Sequence, residues 1–501
     1  MMSKKLLIIA LFVTMFLSIG FAASNDGQLK FGIDTDAEGF DPNQVTSFGS
    51  HRVLENIYES LLQYDQDMNL IPSIAESYET PDPYTVIFKI RENVKFHDGT
   101  DLTVEDVLYT FNRIMDPDYG SPAASYFSEV ESIKELDGKR VEFKLKVPMV
   151  NALLLNFAGV NTSIVSKEFV EAGNNMQLKT NGTGPFVMDE YVAGNYITLK
   201  KFDDYYVNNV PKLSSIKFLI IPEEVSRIAA LRNGDIDLVK VGEPLSLKML
   251  QNKFTIYRQP TLSYYLIGIN CDFGPFKNPL VRRALNYAIN RENIIKMVSF
   301  GEGSVTGVMN PSVKAWAVQP SEFSEFTYNP KKAKELLAEA GYPNGFEFVI
   351  TTASKYGFDK VAQVIQAQLS MVGIKATIDI VEWGIFIKKW KEIDFNAFVS
   401  LNGGSIEPDK QLYRTISTGG STNKFNYSKA EVDNLLNEGR SAVDTAERKE
   451  IYNELQKILI EDSPIIFLYS PNNLFASQEN VKDFAPKSNE SLTSLKYVYF
   501  E

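Results

Sequence analysis

Between Thr85 and Pro117 the chain reads TVIFKIRENVKFHDGTDLTVEDVLYTFNRIMDP, and the period of its apolar positions changes midway. Val86, Phe88 and Ile90 alternate with Ile87, Lys89 and Arg91, the period-two spacing of a strand that buries one face. The Asp98-Gly99 pair supplies turn chemistry, and Thr103 with Asp106 has the spacing of a capping box. Beyond that box Val104, Val107, Leu108, Phe111 and Met115 share one side of a helix, while Glu105, Asn112 and Arg113 face away. The segment predicts a strand, a turn and a capped amphipathic helix, with no chemistry of its own.

The same change of period recurs in the C-terminal half. Asn329 caps a predicted helix with Pro330 in its first position, and Gly341 ends it. An apolar strand follows from Phe346 to Thr351, then a helix from Phe358 to Val372 stopped by Gly373, and a strand from Ile374 to Val381. A short helix begins at Trp383, and Ala397 to Leu401 reads as a further strand. Such alternation predicts an α/β architecture, a sheet with helices on its faces. No internal repeat or low-complexity linker divides the chain.

Composition narrows the function classes. The 501 residues, 44% of them hydrophobic, suffice for two or three domains with ample cores. A net charge of −12 with no basic stripe argues against nucleic acid as a partner, and the pairs Lys200-Lys201 and Lys388-Lys389 read as solvated faces. At the N-terminus Lys4 and Lys5 precede an apolar run from Leu6 to Phe21, short for a membrane span but suited to a secretory signal. Gly20 and Ala22 hold the small-residue positions of a cleavage site, so residues 1–22 are expected to be a signal peptide and the mature chain to begin near Ala23; an uncleaved anchor is the alternative. Cys271 is the only cysteine, which excludes an internal disulfide and leaves no lipobox cysteine near the signal. It reads as a structural thiol.

The run Phe96-His-Asp-Gly-Thr100, followed by the Leu102-Thr-Val-Glu-Asp-Val107 helix start, resembles the extracellular solute-binding proteins of family 5, the dipeptide, oligopeptide and nickel receptors of bacterial ABC importers. Further motifs carry the resemblance in the family's order: Pro72-Ser-Ile-Ala-Glu-Ser-Tyr78, Gly182-Thr-Gly-Pro-Phe186, Arg232-Asn-Gly-Asp-Ile-Asp-Leu238, Pro275-Phe-Lys-Asn-Pro279, Val281-Arg-Arg-Ala-Leu-Asn-Tyr-Ala-Ile-Asn-Arg291 and Ala333-Lys-Glu-Leu-Leu-Ala-Glu-Ala-Gly341. They cover almost the whole chain beyond the signal region.

The resemblance implies a two-lobed periplasmic-binding-protein fold with a hinge and an extra satellite domain in the first lobe. The expected limits are 23–46, 180–267 and 472–501 for lobe I, 47–179 for the satellite domain, and 268–471 for lobe II. The chain would cross between lobes near Ile267 to Asn270 and near Tyr469 to Asn472. A solute touching both lobes would stabilise the closed state, which is presented to an ABC permease complex in the inner membrane. The implied protein is a periplasmic monomer without a cofactor, and not an enzyme.

By the same resemblance the expected cleft residues are Gly39, Phe40 and Asp41 in the first lobe, Asn270 at the crossing, and Trp383, Asn402, Gly403, Gly404 and Ser405 in the second lobe. Phe40 and Trp383 also read as core aromatics. Peptide receptors of the family commonly pair an aspartate with the ligand's α-ammonium, and this chain has Gly404 or Ser405 there, with Glu407 and Asp409 nearby as substitutes. Dipeptide receptors tend to carry an arginine for the α-carboxylate before the Phe358 helix, where this chain offers Thr352 and Lys355. Two ligand classes therefore stay open, a small peptide and an oligosaccharide. The latter would use stacking aromatics among Trp316, Trp383 and Trp390 with neutral groups such as Asn402 and Ser405.

Metal and catalytic readings find little support. The two histidines are His51 and His97, and His97 belongs to the Phe96-His-Asp-Gly turn. There is no G-x-S-x-G, H-E-x-x-H, Walker A or dinucleotide fingerprint. The S-x-x-K string at Ser214 to Lys217 leads into an apolar strand, and Asp235 with Asp237 sits in a turn.

Overall fold

The computed structural model describes residues 27–250 and 253–501. The expected signal peptide lies outside them. Three sheets organise the rest, each with helices or irregular segments packed against it.

The first sheet orders its main strands Thr255–Pro260, Tyr469–Ser477, Leu238–Val241, Gln28–Ile33, Ser215–Ile220, Tyr196–Lys201 and Phe186–Val192. Gln28–Ile33 runs parallel to both its neighbours, and the outer pairs are antiparallel. Leu29, Phe31 and Ile33 point into a core with Phe218, Leu238 and Phe475. Helix Phe48–Leu54 also belongs here, since Val53, Leu54, Ile57 and Tyr58 pack into that core. Gly182 lies so close to this segment that a Cβ on it would stand 2.0 Å from the Ile57 carbonyl oxygen.

A four-stranded antiparallel sheet, Ala75–Asp82, Thr85–Ile90, Arg140–Leu145 and Val130–Glu135, forms the satellite. The predicted strand and helix are both present there, as Thr85–Ile90 and Val104–Met115. The Thr103 backbone N–H and hydroxyl donate to Asp106 Oδ2 at 2.9 and 2.8 Å. Phe88, Phe111, Phe143 and Phe157 centre a separate core that begins at Leu61 and ends at Ile164. Within the expected satellite limits of 47 and 179, Val53, Leu54, Ile57, Tyr58, Val165 and Met176 are buried with the first sheet instead.

The second large sheet orders Lys375–Ile380, Glu347–Thr352, Ala397–Asn402, Tyr264–Ile269 and Ile465–Phe467. The first three are mutually parallel, and helices Pro330–Glu339, Phe358–Ser370 and Trp383–Glu392 occupy the places the periodicity predicts. Tyr264–Ile269 pairs along its full length with Ala397–Asn402, so the expected boundary at 267/268 falls inside a strand of this sheet. The chain instead crosses between sheets at 261–263 and again where Phe467 gives way to Tyr469. The two crossings run side by side. Thr261 donates its N–H to the Pro471 carbonyl at 3.0 Å, and the Asn310 amide donates to the Thr261 carbonyl at 2.7 Å and the Ser470 hydroxyl at 2.8 Å. Among the described residues no helix is long and apolar enough to cross a membrane.

Candidate functional site

The crossings define which sheet edges face each other. Strand Tyr264–Ile269 starts at a crossing and pairs antiparallel with Ala397–Asn402, so the carboxyl ends of Glu347–Thr352, Lys375–Ile380 and Ala397–Asn402 lie on the crossing side. In the first sheet the carboxyl ends of Gln28–Ile33 and Leu238–Val241 lie on that side too. Carboxyl ends of parallel strands are where open α/β sheets receive ligands, because the turns there diverge and leave a crevice.

On the second sheet's edge, Lys355, Trp383, Asn402, Gly403, Gly404 and Ser405 all follow those strand ends. Lys355 is exposed and its ammonium lies 4.5 Å from the centre of the Trp383 ring, a cation–π contact across two loops. Trp383 stacks on Phe386 with centroids 5.5 Å apart and meets Tyr356 edge-on at 6.3 Å. Asn402 stands opposite Tyr264 across the strand pair. Gly403 is exposed with open space around it, whereas a Cβ on Gly404 would stand 2.2 Å from the Leu262 carbonyl oxygen. Ser405 donates its N–H to Gln411 Oε1 at 2.9 Å, and its hydroxyl accepts from Glu407 N at 3.2 Å.

Other expected residues are placed elsewhere. Asn270 lies at the far end of its strand, beside Asn396 and away from the crossing edge, because the strand is antiparallel to Ala397–Asn402. It is consumed in local bonds, donating to the Phe395 carbonyl at 3.1 Å and accepting from Asn426 at 3.1 Å. Phe40 is 1% exposed and packs edge-on against Tyr191 at 4.9 Å. Asp41 is 3% exposed; Arg113 pairs with it at 2.6 Å and the Tyr119 hydroxyl donates to it at 2.8 Å. Gly39 is buried beside Gln177. Asp41 thus ties the loop after the first strand to the satellite, while Phe40 packs within the first core.

Glu407 and Asp409, the expected substitutes for an ammonium-binding aspartate, already have partners. Glu407 caps helix Pro408–Ile416 by accepting from Lys410 N at 2.9 Å and pairs with Arg448, both buried. Asp409 is 3% exposed and accepts from Arg440 Nε at 2.9 Å. The other two tryptophans are also in use, Trp316 against Tyr452 and Arg448, and Trp390 beneath Lys424.

The first sheet's edge holds a feature that no motif announced. A cavity of about 320 Å³ is enclosed by residues 48–64, by satellite residues 155–163 and by residues 487–496, with Lys410 as the contribution from the second sheet's side. It is lined with charges of both signs. Arg52 is paired with Asp34 at 2.6 Å. Glu59 is 9% exposed, accepts from the Tyr205 and Tyr206 hydroxyls at 2.7 and 3.1 Å, and has its carboxyl pushed up by burial, with Lys496 opposing. Glu55 accepts from the Leu492 N–H and from the Ser491 hydroxyl at 2.7 Å, and burial raises its carboxyl to about 7. Burial pulls the Lys487 ammonium down to about 8; it donates to the Tyr64 carbonyl and to Thr493 Oγ1 at 2.9 Å. The residues come from three separated stretches of chain with no shared spacing.

The histidines and the cysteine have structural settings. The His97 ring bonds the Gly184 carbonyl at 3.0 Å, and burial lowers it to about 4. Burial raises the Cys271 thiol to about 11. Among the described residues, no group of three or more histidines, cysteines or carboxylates is arranged to hold a metal ion. Lys217 of the S-x-x-K string lies 3.6 Å from the centre of the Tyr196 ring, and Asp237 accepts from Lys30 N at 2.8 Å.

Comparison with known proteins bears on this arrangement. Residues 69–424 match the model of the bacterial extracellular solute-binding proteins, family 5 middle region. The oligopeptide-binding protein AppA of Bacillus subtilis (strain 168) is 30% identical over 488 residues, covering 91% of this chain and 89% of AppA. The glutathione-binding protein GsiB of Escherichia coli (strain K12) is 30% identical over 485 residues, covering 93% of each. The structure of HbpA2 from Haemophilus parasuis superposes with a TM-score of 0.87 at 25% identity, covering 95% of this chain and all of that one.

Proposed function

Because this chain belongs to the bacterial extracellular solute-binding proteins of family 5, a family of receptors rather than enzymes, we propose that it is the substrate-binding subunit of an ABC importer that holds a small peptide between its two lobes and delivers it to the membrane permease. The observation that carries the peptide reading is the cavity at the lobe junction, lined by Glu55 and Glu59 on one side of the charge balance and by Lys410, Lys487 and Lys496 on the other. A peptide presents both an ammonium and a carboxylate, and desolvating either without a counter-charge is costly. A neutral oligosaccharide carries no charge to pair with such a lining, and it wants free stacking faces. Of the three tryptophans, Trp383 alone stands at the edge of the parallel strands.

Capture works by differential contact. A ligand bridging the second sheet's edge, with Trp383, Lys355 and Asn402, and the first sheet's cavity favours the closed arrangement, and one touching a single lobe does not. The paired crossings at 261–263 and 468–470 are the segments about which the lobes would turn. The N-terminal pattern supports export to the periplasm with removal of residues 1–22.

The test is a thermal-shift screen of the chain from Ala23 onward against pooled di- to pentapeptides and, separately, α- and β-linked oligosaccharides. Binding to the folded state alone raises the midpoint. Peptides are expected to raise it and sugars to leave it unchanged; stabilisation by sugars alone reverses the reading.

A further inference from the structure

Every wall of the charged cavity comes from the first lobe and the satellite, save one residue. Lys410 reaches in from the first turn of helix Pro408–Ile416, directly after the edge of the second sheet. Its backbone is pinned. Glu407 accepts from Lys410 N at 2.9 Å and is itself held by Arg448, while Arg440 holds Asp409 at 2.9 Å. Four residues of lobe II therefore serve to fix the direction in which one lysine leaves the helix.

The side chain is exposed to the cavity. Its ammonium donates to Asn156 Oδ1 of the satellite at 3.0 Å and lies 5.3 Å from the centre of the Tyr126 ring. Both partners are neutral. Among the described residues no carboxylate stands within ion-pair distance of Lys410, and Glu407, whose charge bears on it, is already taken by Arg448. Burial lowers the Lys410 ammonium below its ordinary range, and Arg414, one turn further along the helix, adds a like charge in the same direction. The other cations of the cavity come from the first lobe: Arg52 is paired with Asp34, while Lys487 and Lys496 bond neutral oxygens and have Glu55 and Glu59 as nearby counter-charges, so Lys410 is the cation that lobe II supplies.

We propose that Lys410 is the specificity-determining residue through which lobe II recognises a carboxylate of the bound solute, the C-terminal carboxylate when the solute is a peptide. This rests on the peptide reading above and goes beyond it by naming the ligand group and the residue. An ammonium has three donors, and here one is committed to Asn156, so two remain for the oxygens of an anion placed in the cavity. Since the cavity belongs to lobe I and the lysine to lobe II, the contact is made only with the lobes together. It therefore contributes to closure as well as to affinity. Lys355, the residue the sequence suggests for this role, has its ammonium on the Trp383 and Tyr356 rings instead.

The experiment is a competition between two synthetic libraries of tri- to pentapeptides, identical in sequence, one ending in carboxylates and the other in carboxamides. Protein from Ala23 onward is mixed with both, separated from free peptide by gel filtration, and the retained peptides are counted by mass spectrometry. The wild type is expected to prefer the acids by about 10- to 100-fold, the worth of a charge-assisted hydrogen bond. Lys410→Gln is expected to lower that preference to about threefold or less while retaining the amides as the wild type does, and Lys410→Arg to restore it. Retention of amides by Lys410→Gln shows that the variant is folded; if it retains neither library, its melting midpoint without peptide must match the wild type's for the proposal to be overturned, and a lower midpoint moves the comparison to Lys410→Met under stabilising sulfate. A Lys410→Gln protein that keeps the full preference for acids overturns the proposal. Failure of the wild type to retain either library overturns the peptide reading itself, and this proposal with it.

Discussion

Gly404 approaches the backbone of Leu262 so closely that a Cβ on it would stand 2.2 Å from the Leu262 carbonyl oxygen. Leu262 belongs to one of the two segments that cross between the first and second sheets, and Gly404 follows strand Ala397–Asn402. The turn after that strand is thereby packed against the crossing. Gly404→Ala is expected to force one of them aside at a cost of about 1–3 kcal/mol, the usual range for overpacking, whereas Gly403→Ala, with open space around it, stays within about 0.5 kcal/mol. Urea denaturation of the two variants checks this, and equal effects would contradict it.

Arg448 and Glu407 are a buried ion pair at 4% and 6% side-chain exposure. Removing one member leaves the other charged and unpartnered. Arg448→Met is expected to cost about 3–5 kcal/mol, and adding Glu407→Gln to recover a large part of that loss. A double-mutant cycle by chemical denaturation measures both terms. A single-variant loss that the second substitution fails to reduce would show that packing against Trp316 and Tyr452, rather than charge, is what Arg448 provides.

Glu55 gives a pH dependence with a definite sign. Burial raises its carboxyl to about 7 from an ordinary value of 4.5, so across that window the folded protein holds a proton the unfolded chain has released. Stability contributed at this position therefore falls as pH rises from 4.5 to about 7 and is level above it. Other carboxylates slope the opposite way, so the measurable quantity is the difference between wild type and Glu55→Gln. Denaturation at pH 5 and pH 7.5 is expected to show the variant gaining on the wild type at the higher pH; a constant difference contradicts it.

Two aromatics that look alike in the sequence are expected to fail in different ways. Phe40 is 1% exposed in the first core, and Phe40→Ala is expected to cost about 3–5 kcal/mol of stability. Trp383 is partly buried at the edge beneath Lys355, and Trp383→Ala is expected to weaken peptide binding about tenfold or more with a smaller loss of stability. Titration calorimetry with a stabilising peptide, alongside melting curves, separates the two; unchanged affinity in Trp383→Ala would remove that residue from the site.

What the chain determines by itself is local. The change from period two to period 3.6 located Thr85–Ile90 and Val104–Met115, and turn and cap residues located the helices beginning at Pro330, Phe358 and Trp383, because those signals depend on neighbours within a few residues. Ordered motifs were enough to identify the family. Tertiary structure decided the rest. Strand direction is invisible in a sequence, and only pairing shows that Asn270 lies at the end of the sheet away from the crossings while Asn402 lies at the end beside them. Val53, Leu54, Ile57 and Tyr58 are buried with the first sheet and not with the satellite core, a placement the sequence leaves open, since an apolar helix face does not say which core receives it. Charges in a row, Glu407, Asp409 and Lys410, read alike along the chain, yet two meet arginines from distant helices and the third faces the cavity. Which of them is left for a ligand depends on partners 30 to 40 residues away or farther, as with Arg440, Arg448 and Asn156, and only the folded chain brings those together.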